Sequence, residues 1–138
     1  MRILIIDGMG GGIGKALIEK INIAALPNIE TVAVGTNAIA TTAMLKAGAT
    51  HSATGENAVV FNAAKADIII GVMGIVFANS MHGEVSPAMA AAVSASGAHK
   101  VLIPIDKCNV TTVGVRVAAV QDYINEAIQK LRDYITNV

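Results

Sequence analysis

The chain has 138 residues, about one ordinary domain, which is enough for a sizeable core and too short for a cofactor domain plus a separate catalytic one. It is 54% hydrophobic and 14% charged with a formal net charge of zero, and its pI is near 6.8. An average soluble domain is about 25% charged, so part of this surface is expected to be covered by another copy. Scattered basic residues and 3% aromatics offer nucleic acid neither a charged footprint nor a stacking platform.

The longest apolar stretch, IIIGVMGIVFA from Ile68, falls well short of the ~20 residues a membrane-spanning helix needs. The N-terminal apolar run meets Asp7 too early for a signal peptide. A cytoplasmic protein with no membrane partner is expected, and the single cysteine, Cys108, fits a reducing compartment. Asn109-Val110-Thr111 matches a glycosylation sequon, read here as chance.

Apolar runs of strand length alternate with helical patterns, and no linker, repeat or low-complexity tract interrupts them. That alternation marks βαβ units. The expected fold class is α/β, with residues 1–138 forming a single doubly wound Rossmann-like domain: a parallel sheet of about five strands with helices on both faces. The first strand runs from Arg2 to Ile6, and the helix after it sets Ile13, Leu17 and Ile21 opposite Lys15 and Glu19. TVAVG from Thr31 is the second strand. A small-residue helix follows from Asn37 to a glycine stop at Gly48.

A short strand at HSAT and a helix from Glu56 come next. DIIIG from Asp67 is apolar at every central position, as a strand covered on both faces should be. After a long loop, Ser86 and Pro87 carry the start signals of a helix that stops at Gly97. KVLIPI from Lys100 is the fifth strand, ended by Pro104. A last helix from Gln121 turns Ile124, Ile128, Leu131 and Ile135 inward and sets Glu126 four residues before Lys130 outside. Low charge and the small-residue helices AIATTAML and AMAAAVSAS point to a homo-oligomer, most simply a two-fold dimer.

DGMGGGIGKAL, Asp7 to Leu17, lies between the first strand and first helix, where doubly wound folds hold phosphates. A helix start offers unpaired N–H groups and the positive dipole end, and glycine admits an anion to the backbone. Gly-x-Gly-x-x-Gly fails: a frame led by Gly8 and Gly10 puts Ile13 at the last glycine, and one led by Gly10 and Gly12 puts Lys15 there. A P-loop fails because Ala16 stands where its Ser or Thr should hold magnesium. What fits is Gly8-x-x-x-Gly12-Ile13-Gly14, which resembles the glycine motif of short-chain dehydrogenases down to the basic Lys15. Asp7, Gly8, Gly10, Gly11, Gly12, Ile13, Gly14 and Lys15 are therefore the expected phosphate or cofactor loop, against the plainer reading of a tight turn.

The tyrosine and lysine four apart that those dehydrogenases use are absent: Ala127 follows Tyr123 at that distance, and Val138 follows Tyr134. Over its full length the chain resembles a bacterial family of short, uncharacterised Rossmann-like proteins, through IDGMGGGIGKALIEK, GTNAIATTAMLKAGA, TGENAVV and PIDKCNV. That resemblance implies a fold and a nucleotide site, with no known activity.

The end of the second strand reads the ribose in such folds, by a carboxylate for NAD or an arginine for NADP. Here it is the neutral Gly35-Thr36-Asn37, so Thr36 and Asn37 are candidates for a ribose or phosphate, or one of them caps the next helix. Other strand-end groups are Gly71 and Gly74, which let a ligand approach, then Asn79, Ser80, His82 and Glu84 in the same loop, and Lys107 and Cys108 after the fifth strand. Cys108 reads first as a small buried residue. If the fourth and fifth strands are neighbours, His82, Lys107 and Cys108 form a candidate catalytic group, with the thiol as nucleophile. No pair has metal-ligand spacing, and no metal is expected. Ser80 lacks a nucleophile-elbow setting, and no tryptophan is present to sandwich a flavin.

The sequence thus favours a protein that binds or senses a nucleotide or phosphorylated metabolite at Gly8–Gly14. The alternative is a small enzyme, such as an NAD(P)-dependent oxidoreductase, using His82, Lys107 and Cys108. The candidate cofactors are NAD, NADP or another nucleotide.

Overall fold

Strands that read as unbroken apolar runs take the interior of the sheet. In the computed structural model, which describes residues 1–105 and 108–137, β1 (Arg2–Asp7) lies between β2 (Glu30–Gly35) and β4 (Ile68–Val72). Outside these run β3 (His51–Thr54) and β5 (His99–Ile103), giving the order β3-β2-β1-β4-β5 with every pair parallel. The helices are α1 (Gly12–Ala24), α2 (Ala38–Lys46), α3 (Glu56–Ala63), α4 (Pro87–Ala95) and α5 (Val120–Thr136). This is an α/β fold of the Rossmann-like kind.

The period of two along a strand divides the core. Ile3 and Ile5 of β1 join Leu17, Ile18 and Ile21 of α1, Met44 of α2, and Ile124, Ile128 and Leu131 of α5. Leu4 and Ile6 join Val59 of α3, Met89 and Val93 of α4, and Met81 and Val85 of the segment before it. Burying a Leu, Ile or Val side chain is worth about 1.5–3 kcal/mol, so each β1 residue clamps the layer on its own side.

Local signals set the helix ends. Asn37 accepts the Ala40 N–H at 2.8 Å and caps α2, while the Ser86 hydroxyl accepts the Met89 N–H at 3.2 Å ahead of Pro87. β5 stops at Ile103, directly before Pro104. The small residues of α2 and α4 let these helices pack against α1 and α3.

Three expectations need correction. Glu126 reaches Arg116 at 3.8 Å instead of Lys130, because the segment ahead of α5 folds back over the helix start. Ile135 packs against the core but is only partly buried. The long loop expected after β4 is in part regular and buried: Met73–Val76 forms a 3-10 turn, and Ser80, Met81 and Val85 are buried. Among the described residues no helix is long and apolar enough to cross a membrane.

Candidate functional site

β1 ends in Asp7, 5% exposed, whose carboxylate organises the glycine turn. Its two oxygens accept the N–H groups of Gly8 at 2.8 Å and Gly14 at 2.7 Å, which ties the start of α1 to the end of the strand. Gly11 caps α1 at φ 74°, a left-handed conformation that favours glycine. A Cβ there would also lie 2.7 Å from the Ala40 Cα. At Gly8 a Cβ would meet the Thr36 hydroxyl at 2.5 Å and the Met81 sulfur at 2.7 Å; at Gly14 it would meet the Met44 sulfur at 2.5 Å and the Asp7 Cβ at 2.9 Å. Three glycines thus answer to internal packing.

Gly10 and Gly12 do not. A Cβ at either would meet nothing within 4 Å, and neither has a positive φ. The loop forms one wall of a cleft of about 400 Å³, with Met81 and the first turn of α5 (Val120, Gln121, Ile124) opposite. The N–H groups of Gly12 and Ile13, at the first turn of α1, have no acceptor among the described residues, as the geometry of a helix start dictates.

The carboxylate that the second strand lacks arrives from elsewhere. Glu84, in the turn before α4, reaches the end of β2, where its Oε1 accepts from the Thr36 hydroxyl at 2.7 Å, the Asn37 side-chain amide at 2.8 Å and the Met9 N–H at 2.8 Å. These bonds, that from Thr36 foremost, hold its pKa below the ordinary carboxylate value, against the opposing effect of burial. Asn37 also donates to the Met9 carbonyl at 2.9 Å. Every bond to Glu84 falls on Oε1, and Oε2 has none among the described residues.

Other expected residues are distributed differently. Lys15 lines an open groove between α1 and α2 with Glu19, Ile39 and Lys46, and is not part of the glycine cleft lining. Gly71 is buried, and a Cβ on it would lie 2.7 Å from the Ile6 carbonyl, so close β1–β4 packing accounts for that glycine. Gly74 is buried and its carbonyl accepts the Ser80 hydroxyl. Lys107 lies outside the described residues.

His82 and Cys108 share a smaller cleft of about 350 Å³ with Met9, Asn79, Ser80 and Met81. Cys108 is exposed, contrary to the expectation of a buried small residue, because it lies past the end of β5 on an open cleft instead of in either core layer. Met9, Asn79, Met81, His82 and Cys108 all have positive φ, a conformation that costs a non-glycine residue about 1–2 kcal/mol; such strain gathers at functional sites. Among the described residues no group of three or more His, Cys, Asp or Glu side chains is placed to hold a metal ion.

Sequence reasoning noted Glu84 among polar loop residues without giving it a place in the site. The available signal was its isolation, since it is the only Asp, Glu, Lys or Arg between Asp67 and Lys100. A lone carboxylate in so apolar a stretch needs partners supplied by another part of the chain.

The family described as Domain of unknown function (DUF3842) matches residues 2–136. The chain belongs to that family. No curated protein and no solved structure matches the chain. Membership in DUF3842 brings no activity with it, so the chemistry of the site must carry any functional reading.

Proposed function

We propose that this DUF3842 protein binds a nucleotide whose ribose carries free hydroxyls, and that it serves as a binding or sensing protein. The observation that carries this reading is Glu84: a carboxylate fixed by three donors at the end of β2, beside the glycine turn, with one oxygen unbonded among the described residues. A carboxylate in that place suits a ribose diol and repels a 2′-phosphate, which favours NAD or ADP-ribose over NADP. Thr36 and Asn37 then act through Glu84, by holding it.

The phosphates belong at Gly10, Gly12 and Ile13. Asp7 and Glu84 already occupy the N–H groups of Gly8, Gly14 and Met9, and their negative charges disfavour a triphosphate. A diphosphate running from the α1 N-terminus along the cleft beneath α5 keeps its charge on the free amides. Lys15 contributes little in this arrangement, because it lies in the α1–α2 groove. The melting temperature of the protein with NAD, ADP-ribose, NADP and ATP tests the reading: a rise is expected with the first two and little change with the last two, since a ligand stabilises the state it binds.

The cleft shared by His82 and Cys108 supports a second reading, a nucleotide-dependent enzyme, because it adjoins the glycine turn through Met9. In that case His82 is the acid or base, Cys108 the nucleophile, and Lys107, its neighbour in the sequence, a cation, with the chemistry next to the bound nucleotide. Turnover of NAD that stops in Cys108→Ser while binding persists distinguishes this enzyme from a sensor.

A further inference from the structure

The cleft between Met9, His82 and Cys108 gathers the soft donors of the chain. Its lining holds the single cysteine, one of the three histidines and two of the six methionines, in a volume of about 350 Å³. They come from three segments: Met9 follows β1, residues 79–82 precede α4, and Cys108 follows β5. Ligand spacing along one element, on which the expectation of no metal rests, does not register such a group. Two lining residues are engaged elsewhere. The Ser80 hydroxyl donates to the Gly74 carbonyl, and the Met81 sulfur lies against Gly8, where an added Cβ would be 2.7 Å from it. The Met9 thioether, the His82 imidazole and the Cys108 thiol make no side-chain hydrogen bond among the described residues.

Thiolate, thioether and imidazole together are the donors that suit Cu(I). Zn²⁺ draws its protein ligands from Cys, His, Asp and Glu, and among the described residues no three of these are grouped. An iron–sulfur cluster needs several cysteines, and the chain has one. Charge argues the same way. A Cys thiolate and a monovalent ion cancel, and among the described residues no Asp, Glu, Lys or Arg lines the cleft to balance a second charge. Met9, His82 and Cys108 stand at φ 51°, 56° and 48°, a backbone that non-glycine residues keep only where their surroundings impose it; the donors are therefore placed before an ion arrives.

We propose that the Cys108 thiolate, the His82 imidazole and the Met9 thioether bind Cu(I) in this cleft, with Met81 as its apolar floor. Binding exchanges one proton for one ion: the thiol gives its proton to solvent as the sulfur–copper bond forms, and the copper stays Cu(I). The assignment does not rest on the nucleotide reading, and a thiolate held by the ion is no longer a nucleophile.

Titration of the reduced, anaerobic protein with Cu(I) against excess glutathione tests the proposal, with Ag(I) as a redox-inert probe of the methionine methyl groups by NMR. Wild type is expected to keep one Cu(I) per chain, because a bare exposed thiol yields the ion to excess thiol and a three-donor site does not. Cys108→Ser should abolish binding. His82→Ala and Met9→Leu should each weaken it by about tenfold or more, the scale on which changes outside the ligand set already act. His51→Ala, at the start of β3, should leave it unchanged. Ag(I) should shift the Met9 methyl resonance of wild type ahead of those of Met44 and Met89 in the core. Loss of Cu(I) from wild type to glutathione overturns the proposal, as does an affinity indifferent to His82→Ala and Met9→Leu or one lowered equally by His51→Ala. Should the variants fail to fold, wild type decides alone: a Met9 methyl that shifts with one equivalent of Ag(I) supports the site, and one that stays in place overturns it.

Discussion

The Thr36 hydroxyl donates to Glu84 Oε1 at 2.7 Å across 48 positions of sequence, and this bond joins the end of β2 to the turn ahead of α4. With Asn37 and Met9 on the same oxygen, Glu84 clamps three separate segments around the glycine turn. Glu84→Ala removes the clamp and strands its donors. A loss of about 2–3 kcal/mol is expected, since bonds to a charged acceptor are worth about 1.5–3 kcal/mol each and do not add fully. Thermal denaturation should show a Tm lower by roughly 5–10 °C; an unchanged Tm contradicts the clamp.

Acid should weaken the same contact. The folded-state pKa of Glu84 lies below its ordinary 4.5, so the stability it contributes is full above that value and is lost as pH falls through the lower folded value. Glu30, lowered chiefly by its bond from Arg2, adds to the wild-type slope. Comparing urea midpoints of wild type and Glu84→Gln between pH 6 and pH 3 isolates the Glu84 share, with pH values on the order of the carboxylate range. The difference between the two proteins should shrink with acid, and a constant difference argues against a depressed Glu84.

The five glycines of the turn should separate into two groups. Gly11→Ala forces a left-handed alanine against the Ala40 backbone and should cost about 2 kcal/mol or more. Gly14→Val, pressed against Met44 and Asp7, should also lower the Tm. At Gly12 a Cβ meets nothing within 4 Å, so Gly12→Val should leave circular dichroism and Tm nearly unchanged while abolishing nucleotide binding. Equal destabilisation at Gly12 and Gly14 contradicts the assignment of Gly12 to a ligand.

Cys108 is exposed on the cleft it shares with His82 and Met9. A thiol reagent should therefore modify one cysteine per chain without denaturant, and NAD bound at the adjacent turn should slow the reaction several-fold. A thiol that reacts only after unfolding contradicts the exposed position.

The framework was legible because its causes are local. β1 and β4 announce themselves as unbroken apolar runs, and Asn37, Ser86 and Pro87 sit at helix starts for reasons of hydrogen bonding and fixed φ. The site was legible only in part. Asp7 and the glycines fall at a strand end that periodicity locates, whereas Glu84 reaches Thr36 through a turn whose path is set by the burial of Ser80, Met81 and Val85, and no periodicity records that. The exposure of Cys108 and the turn of Glu126 toward Arg116 both depend on where the segment after β5 goes. Several of its valines are exposed, and no local pattern fixes its path.

Recognition of a free ribose diol is tested most directly by calorimetric titration of wild type and Glu84→Gln with NAD and NADP. Wild type should bind NAD at least tenfold more tightly than NADP, and Glu84→Gln, which keeps the side-chain shape and removes the charge, should narrow that ratio by weakening NAD and relieving the repulsion of the 2′-phosphate. Absence of NAD binding, or equal affinity of wild type for the two nucleotides, contradicts the assignment of Glu84 to the ribose.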